Sequence, residues 1–511
     1  VFVAGVDAYQ SECTHPGLTV IKHLGHSRTR RVSMIPGVAN LVDMRVHNST
    51  IVNLERGVLE RVFYVKENGR FVRPPQPDPK TFNARMSRFR DIVLSGIHST
   101  TPTKREDFPS YYRGRNRTRY ANAVDSLSRK DVNATDAHIK CFVKAEKINF
   151  TAKKDPVPRI ISPRDPRYNV AVGCYLKHIE HMLYRAIARA YGGTTVSKGL
   201  NVEEVAALLK GKWDRVDDPV AIGLDASRFD QHVSQVALQW EHSVYNSIYR
   251  DPKLKELLSW QIRNRCKGFT SDGKLSYTTV GTRMSGDMNT AMGNCLIMCG
   301  LLYSYASSRE VHIELVNNGD DCVVIIRRKD LKRFESGLTE WFREMGFTMK
   351  VEDHVDVFER IQFCQMQPVF DGSKYVMVRN PTVSIAKDAI SIKPLDSKSM
   401  FQKWLGAVGE GGVSLTGGIP VLQSFYCCLE RGSHGKRLRD DPTMESGWWY
   451  LSRGMARKVS KVSSQARYSF HLAFDIPPDL QVAVEEYYDS YTPIYDTPSF
   501  RPTSRPNIWI T

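Results

Sequence analysis

The sequence predicts an α+β fold in which helices pack on one face of a sheet, and three stretches carry that prediction. Val220 to Leu224 is an apolar strand that ends in Asp225. His312 to Asn317 and Cys322 to Arg327 are two further strands. They are joined by Asn318-Gly319-Asp320-Asp321, a short glycine-containing link of the kind that closes a tight hairpin. Leu331, Phe334, Leu338, Phe342 and Met345 then recur at helical spacing, with Asp330 placed to cap and Gly346 to stop. A strand at Phe347 to Val351 follows.

The flanking regions are less regular. Pro74, Pro75, Pro77 and Pro79 form a stiff connector that suggests a boundary near residue 90. Residues 100 to 215 are rich in Arg and Lys and carry Pro156, Pro158, Pro163 and Pro166, a pattern of loops and short elements around a basic surface. Ala291 to Ala306 is apolar but short and interrupted by Asn294 and Ser304; a spanning helix needs about 20 apolar residues, so a buried helix is expected. Ile361 to Phe370, Asp371-Gly372 and Lys374 to Val378 suggest a second hairpin. The glycines at 406, 409, 411, 412, 417 and 418 precede a helical-looking region with Trp448 and Trp449. The Pro- and Ser-rich stretch from Tyr491 reads as a flexible tail or a segment lying on the surface.

At 511 residues, with 41% hydrophobic and 10% aromatic residues, the chain is globular, with two to four domains or subdomains. Its 72 Lys and Arg against 55 Asp and Glu give a net charge of +17, which draws phosphate backbones or other anionic surfaces without specifying sequence. Ten cysteines without a CxxC pair argue for free thiols and against a disulfide framework, and no zinc-type cluster is visible.

Asp225 at a strand end and Asp320-Asp321 at a hairpin tip would converge if these strands are neighbours. Carboxylates so close raise one another's pKa values unless a cation sits among them. Oxygen donors favour Mg²⁺ or Mn²⁺, and two such ions would stabilise an attacking 3′-oxygen and a leaving pyrophosphate. Read alone, Gly-Asp-Asp is most often only a turn and Asp225 only a helix cap. The combination gains weight from residues 281 to 294, where Ser285-Gly286 forms a flexible loop and Thr290 and Asn294 share a helical face. Asp230, bonded to Asn294, could accept from a ribose 2′-hydroxyl, the group that distinguishes RNA from DNA. A polar-faced core helix is the plain alternative.

Asp225-x4-Asp230, Ser285-Gly286-x3-Thr290-x3-Asn294 and Gly319-Asp320-Asp321 resemble, in order, motifs A, B and C of viral RNA-dependent RNA polymerases. The surrounding text is similar to the tombusvirus family of positive-strand plant viruses, which includes carmoviruses, dianthoviruses and luteoviruses. Lys144-Ala-Glu-Lys147 through Pro158-Arg-Ile-Ile-Ser-Pro-Arg164 resembles motif F. Tyr112 to Tyr120 resembles a finger segment, and Phe363 to Pro368 resembles motif E. The likeness covers roughly residues 100 to 380.

That resemblance implies a right hand of fingers, palm and thumb. Residues 1–90 would bridge fingertips and thumb, 91–215 form fingers, 216–395 the palm with a fingers insertion at about 250–282, and 396–511 the thumb and tail. Asp225 and Asp320 would hold metal, with Asp321 weaker or indirect. Asp230, Ser285, Gly286, Thr290 and Asn294 would contact the nucleotide. Arg159, with Lys153 or Lys154, would lie over the triphosphate. Lys350 is a candidate proton donor to pyrophosphate, or a lysine on an exposed strand. Arg113, Arg115, Arg117 and Arg119, in an extended run with Tyr111, Tyr112 and Tyr120, would follow the template backbone. Lys144, Lys147 and Arg164 would also touch RNA. The substrates implied are NTPs, a single-stranded RNA template and nascent RNA, with initiation without a primer. The partner implied is a membrane-anchored auxiliary protein sharing an upstream segment, at membrane-bound replication complexes in the host cytoplasm. Such a chain, starting at Val1, reads as the downstream part of a readthrough or frameshift product. A reverse transcriptase would carry a bulky aromatic where Asp230 and Asn294 stand. A non-catalytic RNA-binding or coat-like protein would explain the charge but not the ordered carboxylates.

Overall fold

The computed structural model describes residues 1–25, 29–38, 42–438 and 448–496. At its centre lies a four-stranded antiparallel sheet, in the order Glu314–Asn318, Asp321–Arg327, Pro219–Ala226, Met349–Val351. The hairpin turns at Gly319, whose φ of 77° suits a residue without a Cβ.

Alternation along these strands sends side chains to two different cores. Val220, Ile222, Leu224, Val324 and Ile326 face one core, shared with the helix Thr290–Ser308. Ala221, Val323 and Ile325 face another, built by the helix Val202–Asp214, the hairpin Met366–Phe370/Tyr375–Arg379 and the C-terminal helices. Both faces of the sheet are therefore covered, not one as the pattern suggested. The second cover was illegible because its helix lies upstream of the first strand and its hairpin far downstream. The helix Thr290–Ser308 is buried nearly all round, and among the described residues no helix is long and apolar enough to cross a membrane.

Other expectations change for local reasons. The region 100–215 is strongly helical, with Gly114–Arg129, Pro166–Leu176, Glu180–Tyr191 and Val202–Asp214. Pro166 occupies the first turn of its helix, where no N–H is missed, so it starts the helix. The boundary expected near residue 90 falls inside the helix Pro79–Ser95, which buries Phe82, Met86, Phe89 and Val93 in the first core. The periodic stretch after Asp330 is two helices, Leu331–Glu335 and Leu338–Glu344, split at Gly337 with φ 75°. Asp330 does not cap; its carboxylate pairs with Arg327 and Arg333.

A second, five-stranded sheet runs Thr19–Lys22, Gly273–Val280, Arg263–Thr270, Ile139–Val143, Ile160–Ile161. One face packs on the helix Ile51–Val58 through Leu54, Cys141, Cys266 and Leu275. The ten cysteines are all free thiols.

Gly406, Gly409, Gly411 and Gly412 lie within the helix Lys398–Thr416 instead of ahead of a helical region. They let it approach the helix Leu422–Ser433: a Cβ on Gly409 would come within 2.8 Å of the Glu430 nitrogen, and one on Gly412 would overlap the Tyr426 ring. Trp448 packs by Tyr426 in an edge-on contact at 5.7 Å. The side chain of Trp449 and the end of the tail, residues 497–511, lie outside the described residues. The tail's start, through Tyr495, lies on the surface as one of its two readings had it, with the Tyr495 hydroxyl on the Asp396 carbonyl at 2.8 Å.

Two glycine substitutions should move stability in opposite directions. The Tyr426 ring cannot retreat, because its hydroxyl donates to buried Asp388 at 2.6 Å. Gly412→Ala should therefore cost about 1–3 kcal/mol. Gly211→Ala, in a helix and with nothing within 4 Å of the added methyl, should gain about 0.5–1 kcal/mol. Urea midpoints at constant slope read both.

Candidate active site

Asp225 stands opposite both Asp321 and Lys350 in the central sheet. Directly opposed residues point to the same face, so the register gathers two carboxylates and a lysine on one side, with Asp320 at the hairpin tip. Glu352 joins them, its carboxylate lying over Gly223 where a Cβ would stand. Asp321 is gripped from below the hairpin by the Cys364 N–H, which donates to Oδ2 at 2.9 Å. Burial pushes Asp321 up to about 6, against that N–H, and Asp320, Glu352 and Asp225 add to the rise. Burial also raises Asp320, its own backbone N–H opposing and Asp225 adding. Hard oxygen donors that repel one another suit a divalent cation. Among the described residues no three His, Cys, Asp or Glu side chains are gathered around one ion's position, so the donor chemistry fits while the full ligand set is not preassembled.

A cavity of about 850 Å³ opens beside this edge, and of the three aspartates only Asp320 lines it. Also lining it, Asn294 Nδ2 donates to Asp230 Oδ1 at 2.8 Å, the bond the sequence reading expected. Asn294 cannot flip, because its Oδ1 accepts from Arg283 Nε at 3.0 Å. Arg283 is in turn held by Glu241, both side chains fully buried. Asn289 and Tyr245 also donate to Glu241, at 2.8 and 2.7 Å. Burial raises the Asp230 carboxyl, with the Asn294 bond opposing.

The loop before Asn294 is pinned, not flexible. Ser285 Oγ accepts the Ser162 N–H at 3.1 Å. A Cβ on Gly286 would come within 2.6 Å of Pro163 Cα, so only glycine permits this approach. Thr290 turns its hydroxyl to the Met284 carbonyl at 2.9 Å, which closes the loop on itself.

The basic residues sort differently from the sequence expectation. Arg159 lines the cavity and shares Glu146 with Lys144, at 3.1 and 3.0 Å. Lys153 and Lys154 are exposed just after a turn and do not line it. Arg164 is buried against Asp287 and donates to Asn264 Oδ1 at 2.7 Å, so it braces the loop and is not presented to RNA. Lys147, half-buried, donates to the Lys387 carbonyl and is lowered to about 8 by burial. Residues 114–129 form a helix, so the arginine run is not extended: Arg115 and Arg119 share one side, Arg117 another, and Arg113 precedes the first turn. Tyr112 and Tyr120 pack on each other with centroids 4.6 Å apart, at the cavity wall, while Tyr111 is exposed.

Four further cations line the cavity: Arg61, Lys177, Lys198 and Arg228. Arg61 is lowered to about 10 by burial and by Arg228 and Arg159 nearby. Arg228 lay in plain view within the Asp225-x4-Asp230 spacing, and its left-handed φ of 47° marks a shaped turn. Nothing local pointed to Arg61 or Lys198, which come from distant elements.

A sequence model of the family described as viral RNA dependent RNA polymerase matches residues 18–496. The RNA-directed RNA polymerase of turnip crinkle virus is 45% identical over 496 residues, 96% of this chain and 63% of that protein. That of tobacco necrosis virus (strain A) is 44% identical over 489 residues, 95% of this chain and 67% of the relative. That of maize chlorotic mottle virus (isolate United States/Kansas/1987) is 44% identical over 496 residues, 96% and 51%. The chain spans about half to two thirds of the length of the curated relatives it matches.

Removing Asp287 strands a buried guanidinium, so Asp287→Ala should cost about 3–5 kcal/mol. Removing Asp125 from its exposed pair with Arg129 should cost under about 1 kcal/mol. Chemical denaturation compares the two. For Asp321 the raised value means the folded chain takes up this proton first. Its contribution favours folding below about pH 4 and is lost as pH rises through about 6. In metal-free buffer, the melting temperature of Asp321→Asn should therefore gain on the parent between pH 4.5 and pH 7.5; a constant difference would contradict the shift.

Proposed function

The chain belongs to the viral RNA-dependent RNA polymerase family, and from that membership we propose that it extends RNA on a single-stranded RNA template by nucleotidyl transfer from NTPs. The observation that carries the reading is the register of Asp225 with Asp321, with Asp320 beside them lining a cavity that the Asp230–Asn294 pair also lines. In this reading the central sheet is the palm of a right hand, residues 91–215 and about 250–282 the fingers, residues 396–511 the thumb and tail, and residues 1–90 the bridge.

When bound, two divalent cations, Mg²⁺ or Mn²⁺, would neutralise charge on the attacking 3′-oxygen and the leaving pyrophosphate. Asp225 and Asp320 would hold them, with Asp321 alongside. The chain's own groups do the rest. Asp230, held by Asn294, accepts from the ribose 2′-hydroxyl, and Ser285 has its hydroxyl proton free to donate while its oxygen accepts from Ser162. Arg159, Arg228 and Arg61 face the triphosphate, where guanidinium forks match phosphate oxygens. Lys350, level with Asp225, donates a proton to the departing pyrophosphate. Initiation without a primer is part of the proposal, with the hairpin over Asp321 and the C-terminal helices shaping the site. So is a membrane-anchored auxiliary protein at cytoplasmic replication complexes; the relatives' greater length supports a segment outside this chain.

The decisive assay supplies single-stranded RNA, labelled NTPs and Mg²⁺ or Mn²⁺ to the parent and to Asp320→Ala. Template-dependent product from the parent should fall at least about 100-fold in the variant. Equal product from both would sink the assignment. Asn294→Ala should reduce the preference for NTPs over dNTPs by about 10-fold, the worth of one lost polar contact.

A further inference from the structure

The five-stranded sheet packs one face on the helix Ile51–Val58 and turns the other to solvent. No group of the proposed reaction lies on that outer face. Along Arg263–Thr270, Asn264, Cys266 and Gly268 are buried while Arg263, Arg265, Lys267 and Phe269 are exposed. The antiparallel neighbour exposes Lys274 and Thr278, and the parallel neighbour exposes Lys140 and Phe142. The register sets Phe269 opposite Lys274, and Lys267 between Ser276 and Lys140. One residue further along the same parallel pairing, Phe142 comes alongside Phe269.

Two features of this face are unfavourable in isolation. Phe269 is 59% and Phe142 43% exposed, although a half-buried strand ordinarily places polar residues there. Lys140 and Lys267 stand side by side, and like charges so placed destabilise a sheet. Among the described residues none of the five cations on this face has a carboxylate within ion-pair distance. The one acid of this hairpin, Asp272 in its turn, instead accepts the Ile51 N–H at 3.0 Å. Cations about 7 Å apart along a strand, with flat aromatic rings among them, match a polyanion that also presents planar groups.

We propose that this outer face binds single-stranded RNA outside the cavity, its Lys and Arg on phosphates and Phe142 and Phe269 against bases. An anionic membrane fits less well, since the apolar side chains are dispersed among the cations on a flat sheet and do not form a continuous insertable face. The sheet's last strand, Ile160–Ile161, lines the cavity, and Ile161 is paired with Phe142. RNA held on this face therefore abuts the cavity wall, where a template or product strand would pass. The proposal rests on RNA being the chain's substrate, and does not depend on the chemistry at Asp320.

The test titrates a short, unstructured labelled RNA with the parent, an Arg265→Gln/Lys267→Gln double variant and Phe269→Ala, across a salt series. Losing two phosphate contacts should make the slope of log K against log salt shallower by about 1.4. Phe269→Ala should weaken binding about 5-fold or more at an unchanged slope. All substituted side chains are exposed, so melting temperatures should match the parent. Unchanged affinity and slope in both variants would overturn the proposal. So would unchanged RNA binding with lost binding to phosphatidylserine vesicles, which would assign the face to a membrane. If the parent makes no RNA but both variants still lose RNA affinity, the polymerase reading falls and the face stands. RNA synthesis by the parent with unaltered binding by the variants sinks the face alone.

Discussion

The site depends first on a set of buried charges that hold one loop. Arg283 and Glu241 lie fully out of solvent, and Asp287, four residues after Arg283, is buried with Arg164. Each pair is further satisfied by neutral groups: Asn289 and Tyr245 on Glu241, Asn264 on the Arg164 guanidinium. Buried pairs of this kind add little net stability, since desolvation opposes their attraction, but either partner alone is very costly. They therefore allow one arrangement of residues 281–290 and penalise others. Pro163 against Gly286 and Ser162 on Ser285 tie the same loop to the neighbouring sheet. The result is a relay, Glu241 to Arg283 to Asn294 to Asp230, in which a charge buried in the core orients a carboxylate at the cavity wall.

The central sheet contributes the opposite kind of constraint. Its two faces are sealed by different cores, and only the ends of its strands reach solvent. Acidic residues confined to that edge raise one another's pKa values, most clearly at Asp321. The cavity lining also carries arginines, and at Arg61 burial and the charges of Arg228 and Arg159 weaken the charged form. Opposite charges are thus kept apart across an open space where a phosphate chain and cations would reconcile them. A chain with a net charge of +17 has many cations, but few are placed in this way.

Local chemistry explains which expectations survived. The Gly319 turn and the strands around it follow from patterns within a few residues, and the structure contains them. The arginine run failed because alternation in sequence implies one side only if the backbone is extended; on the helix Gly114–Arg129 the same residues diverge. Arg164 failed for a different reason. Its partner Asp287 lies 123 residues away, so nothing beside it announced burial. Glycines 406 to 412 read as lying ahead of a helical region because glycine weakens an isolated helix. The facing Tyr426 and Glu430 show that they serve close packing instead.

The sequence by itself determined the chemical types and their order: the aspartates, the polar helix face after Ser285-Gly286, the basic segments and the family. Those properties reside in short stretches, where turn preference, hydrophobic period and residue chemistry act directly. Only the tertiary structure decided which of these residues meet. It set Asp225 level with Asp321 and Lys350, brought Glu352 over Gly223, and chose Arg61, Arg159 and Arg228 for the cavity while burying Arg164 and tying Lys147 to the Lys387 carbonyl. The physical reason is that strand register, and the burial of one cation over another, are settled by contacts between segments a hundred or more residues apart. The free energy of those contacts belongs to the pair and is written in neither segment alone.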